Sequence, residues 1–265
     1  MKKILLTALT FMLLNVSAFA HKPYNIMEYK KGIYVIEVNT NKSKNQLLPY
    51  IVEGLETNSD VYKSIEPKLV VNAGFFDPQN KKTVSYVVID GKTVLDPNEN
   101  ENLIDNKNLK PYLDKILNRS EFRILKNEKG KIVYDIAPHN EEIKEGYELV
   151  HSIQAGPMLY PDLRLEEEFF VLVKDGELKS ESASCLHKYA RTGIGIKNNK
   201  VYLFIATTQE PLTLKELGEI TRTYGMEKSM GFDGGGSTSF DSKDLHIRSD
   251  YDNQGRKLKS FLILK

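Results

Sequence analysis

One carboxylate, Asp233, stands ahead of three consecutive glycines and three hydroxyls in the run Gly231-Phe232-Asp233-Gly234-Gly235-Gly236-Ser237-Thr238-Ser239. Glycine loses more conformational freedom on folding than any other residue, so a triple run costs stability. It is kept where backbone must come close to something or turn through positive φ. The apolar Met230-Gly231-Phe232 ahead of the run reads as a short buried strand. A strand ending this way presents bare amide N–H groups beside one acid and three hydroxyls. That set suits an anionic, oxygen-rich ligand such as a phosphate or a sugar phosphate. The same run also reads as a flexible turn carrying a solvated Asp.

Three further segments hold more glycine and polar residues than their strands need. Asn72-Ala73-Gly74-Phe75-Phe76-Asp77-Pro78 runs a strand into a glycine turn. Gln154-Ala155-Gly156-Pro157-Met158-Leu159 is a sharp bend between apolar stretches. Arg191-Thr192-Gly193-Ile194-Gly195-Ile196 opens a glycine-containing strand with an arginine able to clamp an anion in bidentate fashion. Each also has a plain structural reading: a turn over core phenylalanines, a bend, and a surface arginine.

The elements that must position these residues are mostly strands. Alternating and β-branched runs predict strands over residues 32–38, 68–72 and 257–264. Four hairpins are predicted: 84–95 around Asp90-Gly91, 122–136 around Lys129-Gly130, 169–178 around Asp175-Gly176, and 192–206 around Asn198-Asn199. Helices are few. Thr213 with Glu216 makes a capping box, Leu214, Leu217, Ile220 and Tyr224 keep helical spacing, and Gly225 is a natural stop, which predicts a helix over 213–224. A second helix is predicted over 108–118 and a helical turn over 60–65. Residues 96–107 and 138–146 are polar and aperiodic and read as surface loops. The expectation is one α+β domain over residues 21–265, of mixed, mostly antiparallel β-sheets with a few packed helices and an exposed insertion around 96–150.

Residues 1–20 read as a targeting segment: Lys2 and Lys3, an apolar run over 4–16, and Ser17-Ala18-Phe19-Ala20 as the cleavage site before His21. Export to the periplasm or the medium is expected, with no later stretch able to insert in a membrane. Removing the two leader lysines takes Lys plus Arg from 37 to 35 against 36 acids, a balance of −1. A near-neutral protein has no global attraction for nucleic acid, so any anion must be held by a local site. Cys185 is the single cysteine, which excludes an internal disulfide. His139, His151, His187 and His246 show no ligand spacing, and Asp233, Asp241 and Asp244 match no known calcium loop, so neither a metal nor another cofactor is expected.

Taken in order, the four segments resemble the phosphodiester glycosidase family. Its Asn-Gly-Gly-Phe-Phe turn is matched by Asn72 to Phe76 with Ala73 for the first Gly. Its Gly-Gly-Pro bend is matched by Ala155-Gly156-Pro157, and its Arg-Thr-Ala-x-Gly by Arg191 to Gly195 with Gly193 for Ala. Its Asn-Leu-Asp-Gly-Gly-Gly-Ser is matched by Gly231 to Ser237, with Gly231 for Asn and Phe232 for Leu. Ser249, Asp250 and Arg256 before the last strand also fit. The resemblance, over roughly residues 68–265, implies hydrolysis of a sugar phosphodiester at the anomeric C–O bond. Asp233 and Arg191 would then be catalytic. Asn72, Gly74, Phe75, Gly156, Thr192, Gly234, Gly235, Gly236, Ser237, Thr238 and Asp250 would contact substrate, with Asp250 or Asp77 as a candidate second carboxylate. Two other functions remain open at this point: a non-catalytic sugar-phosphate or exopolysaccharide binder, and a metal-assisted phosphodiesterase cutting P–O.

Overall fold

The computed structural model describes residues 22–40, 45–182, 184–249 and 254–265. The predicted leader and Asp250 lie outside the described residues. Along the chain, β1 (Tyr24–Lys30), β2 (Ile33–Val38) and β3 (Leu47–Glu56) precede α1 (Asn58–Ile65) and β4 (Leu69–Asn72). β5 (Val87–Ile89) and β6 (Lys92–Leu95) lead to two short helices, α2 (Glu101–Ile104) and α3 (Leu113–Leu117). β7 (Ser120–Asn127), β8 (Ile132–Pro138), β9 (Tyr147–Gln154) and β10 (Met158–Tyr160) follow, then β11 (Val171–Lys174) and β12 (Glu177–Glu181). The last part holds β13 (Arg191–Lys197), β14 (Lys200–Ala206), α4 (Leu214–Thr223), β15 (Lys228–Gly231), β16 (Ser239–Ser242), β17 (His246–Arg248) and β18 (Leu258–Leu264).

The strands form three main sheets, ordered β1-β2-β14-β13-β15-β10, β17-β16-β4-β18-β3 and β6-β5-β9-β7-β8, beside the β11-β12 hairpin. The central ladders are antiparallel, among them β13 with β14 and β15, β4 with β16 and β18, and β7 with β8 and β9. One core lies between the sheets. Ile36, Ile194 and Met230 come from the first, Val71, Phe240 and Leu262 from the second, and Val87, Phe122 and Ile153 from the third. Because side chains alternate across a strand, the neighbours of these residues face outward and need their own cover. Helix α1 covers the outer face of the second sheet, packing Val61 with Val70, Phe261 and Ile263. Helix α4 covers the outer face of the first, packing Leu217 with Val35, Phe204 and Met226.

Helix α4 is framed as its sequence predicts. Thr213 accepts from Glu216 N, Glu216 returns the bond to Thr213 N, and Gly225 closes the helix at φ +82. The helix predicted over 108–118 is reduced to α3 behind a 3-10 turn at Lys110–Tyr112. Pro111 within that stretch has no N–H to donate back, so the run splits. Residues 97–104 are not a bare loop. They fold around Asn100, fully buried, whose Nδ2 donates to Thr83 O at 3.0 Å and whose Oδ1 accepts from Asn80 Nδ2 at 2.9 Å. The predicted insertion around 96–150 also needs correction. β7 and β8 within it bring Phe122, Ile124 and Ile136 into the central core. Its polar face had hidden that, because charged residues alternate with these apolar ones.

Candidate active site

The four glycine-containing segments meet at one end of the sheets. Asp233 N donates to Ala73 O at 2.8 Å and Phe232 N to Thr192 O at 2.8 Å. Gly156 N donates to Gly231 O at 3.1 Å, Gly231 N to Pro157 O at 2.9 Å, and Gly235 N to Ala190 O at 2.7 Å. Backbone hydrogen bonds therefore fasten the Asp233 loop to each of the other three segments. Gly74 shows why no side chain is tolerated at that junction. A Cβ there would stand 3.0 Å from Ser260 Oγ, 3.0 Å from Ser85 Cβ and 3.1 Å from Gln154 O, which come from three different parts of the chain.

Asp233 is partly buried as a residue, with its carboxylate recessed. Gly234 N donates to its Oδ1 at 2.9 Å. Its pKa is pushed up to about 6, because burial disfavours the charge more than its partners favour it. Those partners are the Ser237 hydroxyl, the Arg256 cation, the Gly234 amide and the Arg191 cation. Ser237 is fully buried and accepts from Arg256 Nη1 at 3.4 Å. The exposed Arg256 in turn lies over the Phe76 ring at 5.4 Å from its centre.

Several residues expected to contact substrate are engaged within the fold. Asn72 is fully buried. Its Oδ1 accepts from Thr192 Oγ1 at 2.8 Å and from Ser239 N at 3.1 Å, and its Nδ2 donates to Asp233 O at 2.6 Å. Asn72 holds the Asp233 carbonyl directly, while Thr192 braces Asn72 through its hydroxyl and accepts from Phe232 N through its carbonyl. Arg191 is mostly buried, with Nε donating to Leu212 O at 2.9 Å and Nη2 to Ser184 O and His187 O at 2.7 Å each. It ties the 184–189 segment to the site while its charge stays near Asp233. Burial lowers its pKa, and Cys185, Glu181, Tyr189 and Asp233 oppose that. Phe75 packs its ring 5.8 Å from that of Phe170, under the Arg119 guanidinium. Asp77 is spent on its own turn, accepting from Gln79 N and Asn102 Nδ2 at 2.8 Å each. The loop residues Gly234, Gly235, Gly236 and Ser237 lie beside Asp233, and Thr238 follows them fully buried.

Sequence reasoning gave no role to Glu168. It closes an acidic run, Glu166-Glu167-Glu168, that looks like a solvated surface, yet only Glu168 of the three is buried. Its carboxylate accepts from Ser120 N at 3.0 Å, Ser120 Oγ at 2.7 Å and Met158 N at 3.0 Å, and burial pushes its pKa up. Gly156, at φ +94, lies against it: a Cβ there would overlap the Glu168 carboxylate. Arg119 closes the group. It donates to Glu168 O and Phe169 O, and burial brings its pKa down to about 10. Arg256 was legible only as a residue of the tail pattern, since nothing local shows an exposed arginine folding over Phe76.

Other reactive groups lie elsewhere. Cys185 is buried, with Sγ donating to Phe170 O at 3.4 Å, and burial pushes its thiol up, away from thiolate chemistry. The histidines are dispersed: His139 pairs with Glu121, His187 with Glu181 and His246 with Asp241. Among the described residues no three His, Cys, Asp or Glu side chains converge to hold a metal ion, and no helix is long and apolar enough to cross a membrane. A cavity of about 890 Å³ lies toward the opposite end of β4 and β13, against Ile263 and Asn199, and has no part in this site.

Three antiparallel sheets around one core, ending in a recessed carboxylate between two arginines and a run of amides, define an α+β protein with a carboxylate site suited to an anionic substrate. Residues 66–265 match the phosphodiester glycosidase family, and the chain belongs to it. No match is found among curated proteins. Solved structures share the fold, among them two proteins of low sequence identity. One is the catalytic domain of zebrafish N-acetylglucosamine-1-phosphodiester alpha-N-acetylglucosaminidase, auto-inhibited by its pro-peptide. It has 15% identity and a TM-score of 0.62 over 91% of this chain and 81% of that one. The other is a hypothetical protein from Synechocystis, with 12% identity and a TM-score of 0.61 over 91% of this chain. The present chain spans 61% of the length of the Synechocystis protein.

Proposed function

We propose that this protein is a hydrolase that cleaves the anomeric C–O bond of a glycosyl phosphodiester, releasing free sugar. The observation that carries the reading is the Asp233 carboxylate, held from Gly234 and Ser237 between the charges of Arg256 and Arg191. A phosphodiester has one negative charge, and a second develops as the phosphate monoester departs with the C–O electron pair. Arg256, Arg191 and the loop amides favour that charge. A phosphate monoester is a good leaving group, so protonation of the leaving oxygen is less needed than for an ordinary glycoside. Ionised Asp233 then acts on the other side of the bond, either by activating water or by attacking the anomeric carbon. Water supplies the new C–O bond and loses its proton. The two routes differ in the anomer released.

Family membership supports the reaction class. The amino-terminal sequence supports export, which would place phosphate-linked glycans or exopolysaccharides within reach. The test is release of sugar from a panel of glycosyl-1-phosphodiesters by wild type and Asp233→Ala, with chelator present. Repeating it in ¹⁸O water assigns the bond cut. Label in the sugar supports the proposal; label in the phosphate, or equal release by Asp233→Ala, overturns it.

A further inference from the structure

The cavity of about 890 Å³ remote from Asp233 lies between β3, at the edge of the second sheet, and β7, β8 and β9 of the third. Its size is that of small-molecule sites, roughly 300–1,000 Å³. His151 and Asp90 both line it. His151 shares a face of β9 with the core residue Ile153, so its ring points between the sheets, and its side chain is only 9% exposed. Asp90 N donates to His151 Nδ1 at 3.2 Å. Nδ1 is therefore the acceptor, and the ring proton stands on Nε2. Burial pushes the His151 pKa down, with Asp90 opposing, so the ring is neutral at pH 7. Among the described residues no hydrogen bond reaches Nε2, and Asp90 Oδ1, at 3.9 Å, is too far away to make one. Nε2 is not one of the closed-off orphan atoms either, so it faces open space.

An unpaired N–H donor 3.9 Å from an unpaired carboxylate oxygen discriminates among ligands. A hydroxyl can accept from the first and donate to the second. A phosphate or carboxylate is acceptor-only and meets Asp90 as a like charge. A cation answers Asp90 and leaves the Nε2 proton unmet, and an apolar molecule leaves both unmet. The rest of the lining also suits a hydroxylated ring. Leu47 and Ile124 are buried and apolar, while Gln46 and Lys131 are exposed and polar. A pyranose presents C–H faces to the first pair and hydroxyls to the second. We propose that this cavity is a second, non-catalytic glycan-binding site, in which a sugar hydroxyl bridges His151 Nε2 and Asp90 Oδ1. It is separate from the Asp233 site and does not depend on the reaction proposed above.

The test is calorimetric titration of the full-length protein with four neutral trisaccharides: maltotriose, cellotriose, chitotriose and mannotriose. Wild type is compared with Asp90→Gly, His151→Phe and Asp233→Ala. Asp90 is exposed and sits at φ +51, which glycine adopts freely, so Asp90→Gly keeps the turn. His151→Phe keeps an aromatic ring and loses the donor. Wild type is expected to bind at least one trisaccharide, with each of these two variants weakening it about tenfold, the worth of one hydrogen bond to a charged or buried partner. Asp233→Ala should bind as wild type does, and Asp90→Gly should release sugar from a small diester at the wild-type rate. No binding of any trisaccharide by wild type, unchanged affinity in Asp90→Gly, or loss of affinity in Asp233→Ala overturns the proposal. Binding that depends on Asp90, without sugar release from any diester, sinks the reaction and leaves this site standing.

Discussion

Asn72 and Asp233 are bound to each other through the main chain of one and the side chain of the other: Asn72 Nδ2 donates to Asp233 O at 2.6 Å. The next residue, Ala73, accepts from Asp233 N at 2.8 Å. The end of β4 therefore grips the putting-forward point of the carboxylate from both sides of its peptide plane, and Asn72 is a positioning residue.

Asn72→Ala should strand the Thr192 hydroxyl, Ser239 N and Asp233 O in a buried place. Each unpaired group costs about 1–3 kcal/mol, so a clear drop in thermal midpoint is expected. Activity should fall through kcat, because the carboxylate loses its fixed position. An unchanged melting curve would contradict this account of Asn72.

Asp233 predicts a pH dependence. Its pKa in the fold, about 6, lies above the ordinary carboxylate value. The fold therefore binds its proton more tightly than the unfolded chain, and the charge costs stability as pH rises through that interval. Asp233→Asn should be more stable than wild type at pH 7.5, by about 1–3 kcal/mol, with the gap closing toward pH 4. Catalysis moves the other way. An ionised Asp233 requires kcat/KM to rise with pH and level off above about 6. A profile that falls through this range would assign Asp233 as an acid.

Gly156→Ala should be among the most damaging small substitutions. The residue sits at φ +94, and its new methyl group would overlap a Glu168 carboxylate that is already fastened by Ser120 and Met158. Overpacking of this kind costs roughly 1–3 kcal/mol, with backbone strain added. Denaturant unfolding of Gly156→Ala beside the open, exposed Gly130→Ala, where no neighbour lies within 4 Å, separates steric overlap from positive φ alone.

Arg256→Leu removes an exposed charge, so stability should change little. Loss of a cation beside the phosphate should raise KM about tenfold or more. The same change lowers the attraction that holds Asp233 ionised, so the rise of kcat/KM with pH should move to higher pH. A wild-type KM in Arg256→Leu would remove this residue from the phosphate site.

Much of the architecture follows from local pattern. The capping box at Thr213, the Asp90-Gly91 and Asn198-Asn199 turns and the strand into Asn72 are readable because each depends on neighbours in sequence. β1, β3 and β9 were not read out, because their exposed or mixed alternation becomes meaningful only when a partner strand fixes the register. Helix α3 shortened for a local reason, Pro111, that the periodicity of its leucines masked.

At the site, sequence by itself determined the carboxylate and its loop: Asp233 followed by three glycines and Ser237 carries its own chemical meaning. It also marked Asn72, Gly156 and Arg191 as belonging together, but not what each does. Tertiary structure decided that. Asn72 and Thr192 face inward to brace the loop, Arg191 spends three hydrogen bonds on carbonyls, and Asp77 caps its own turn. It also brought in Glu168 and Arg256, whose sequence surroundings are ordinary. The reason is physical. Whether a polar group is a ligand contact or a strut depends on which donors and acceptors surround it after burial, and those come from strands far away in the chain.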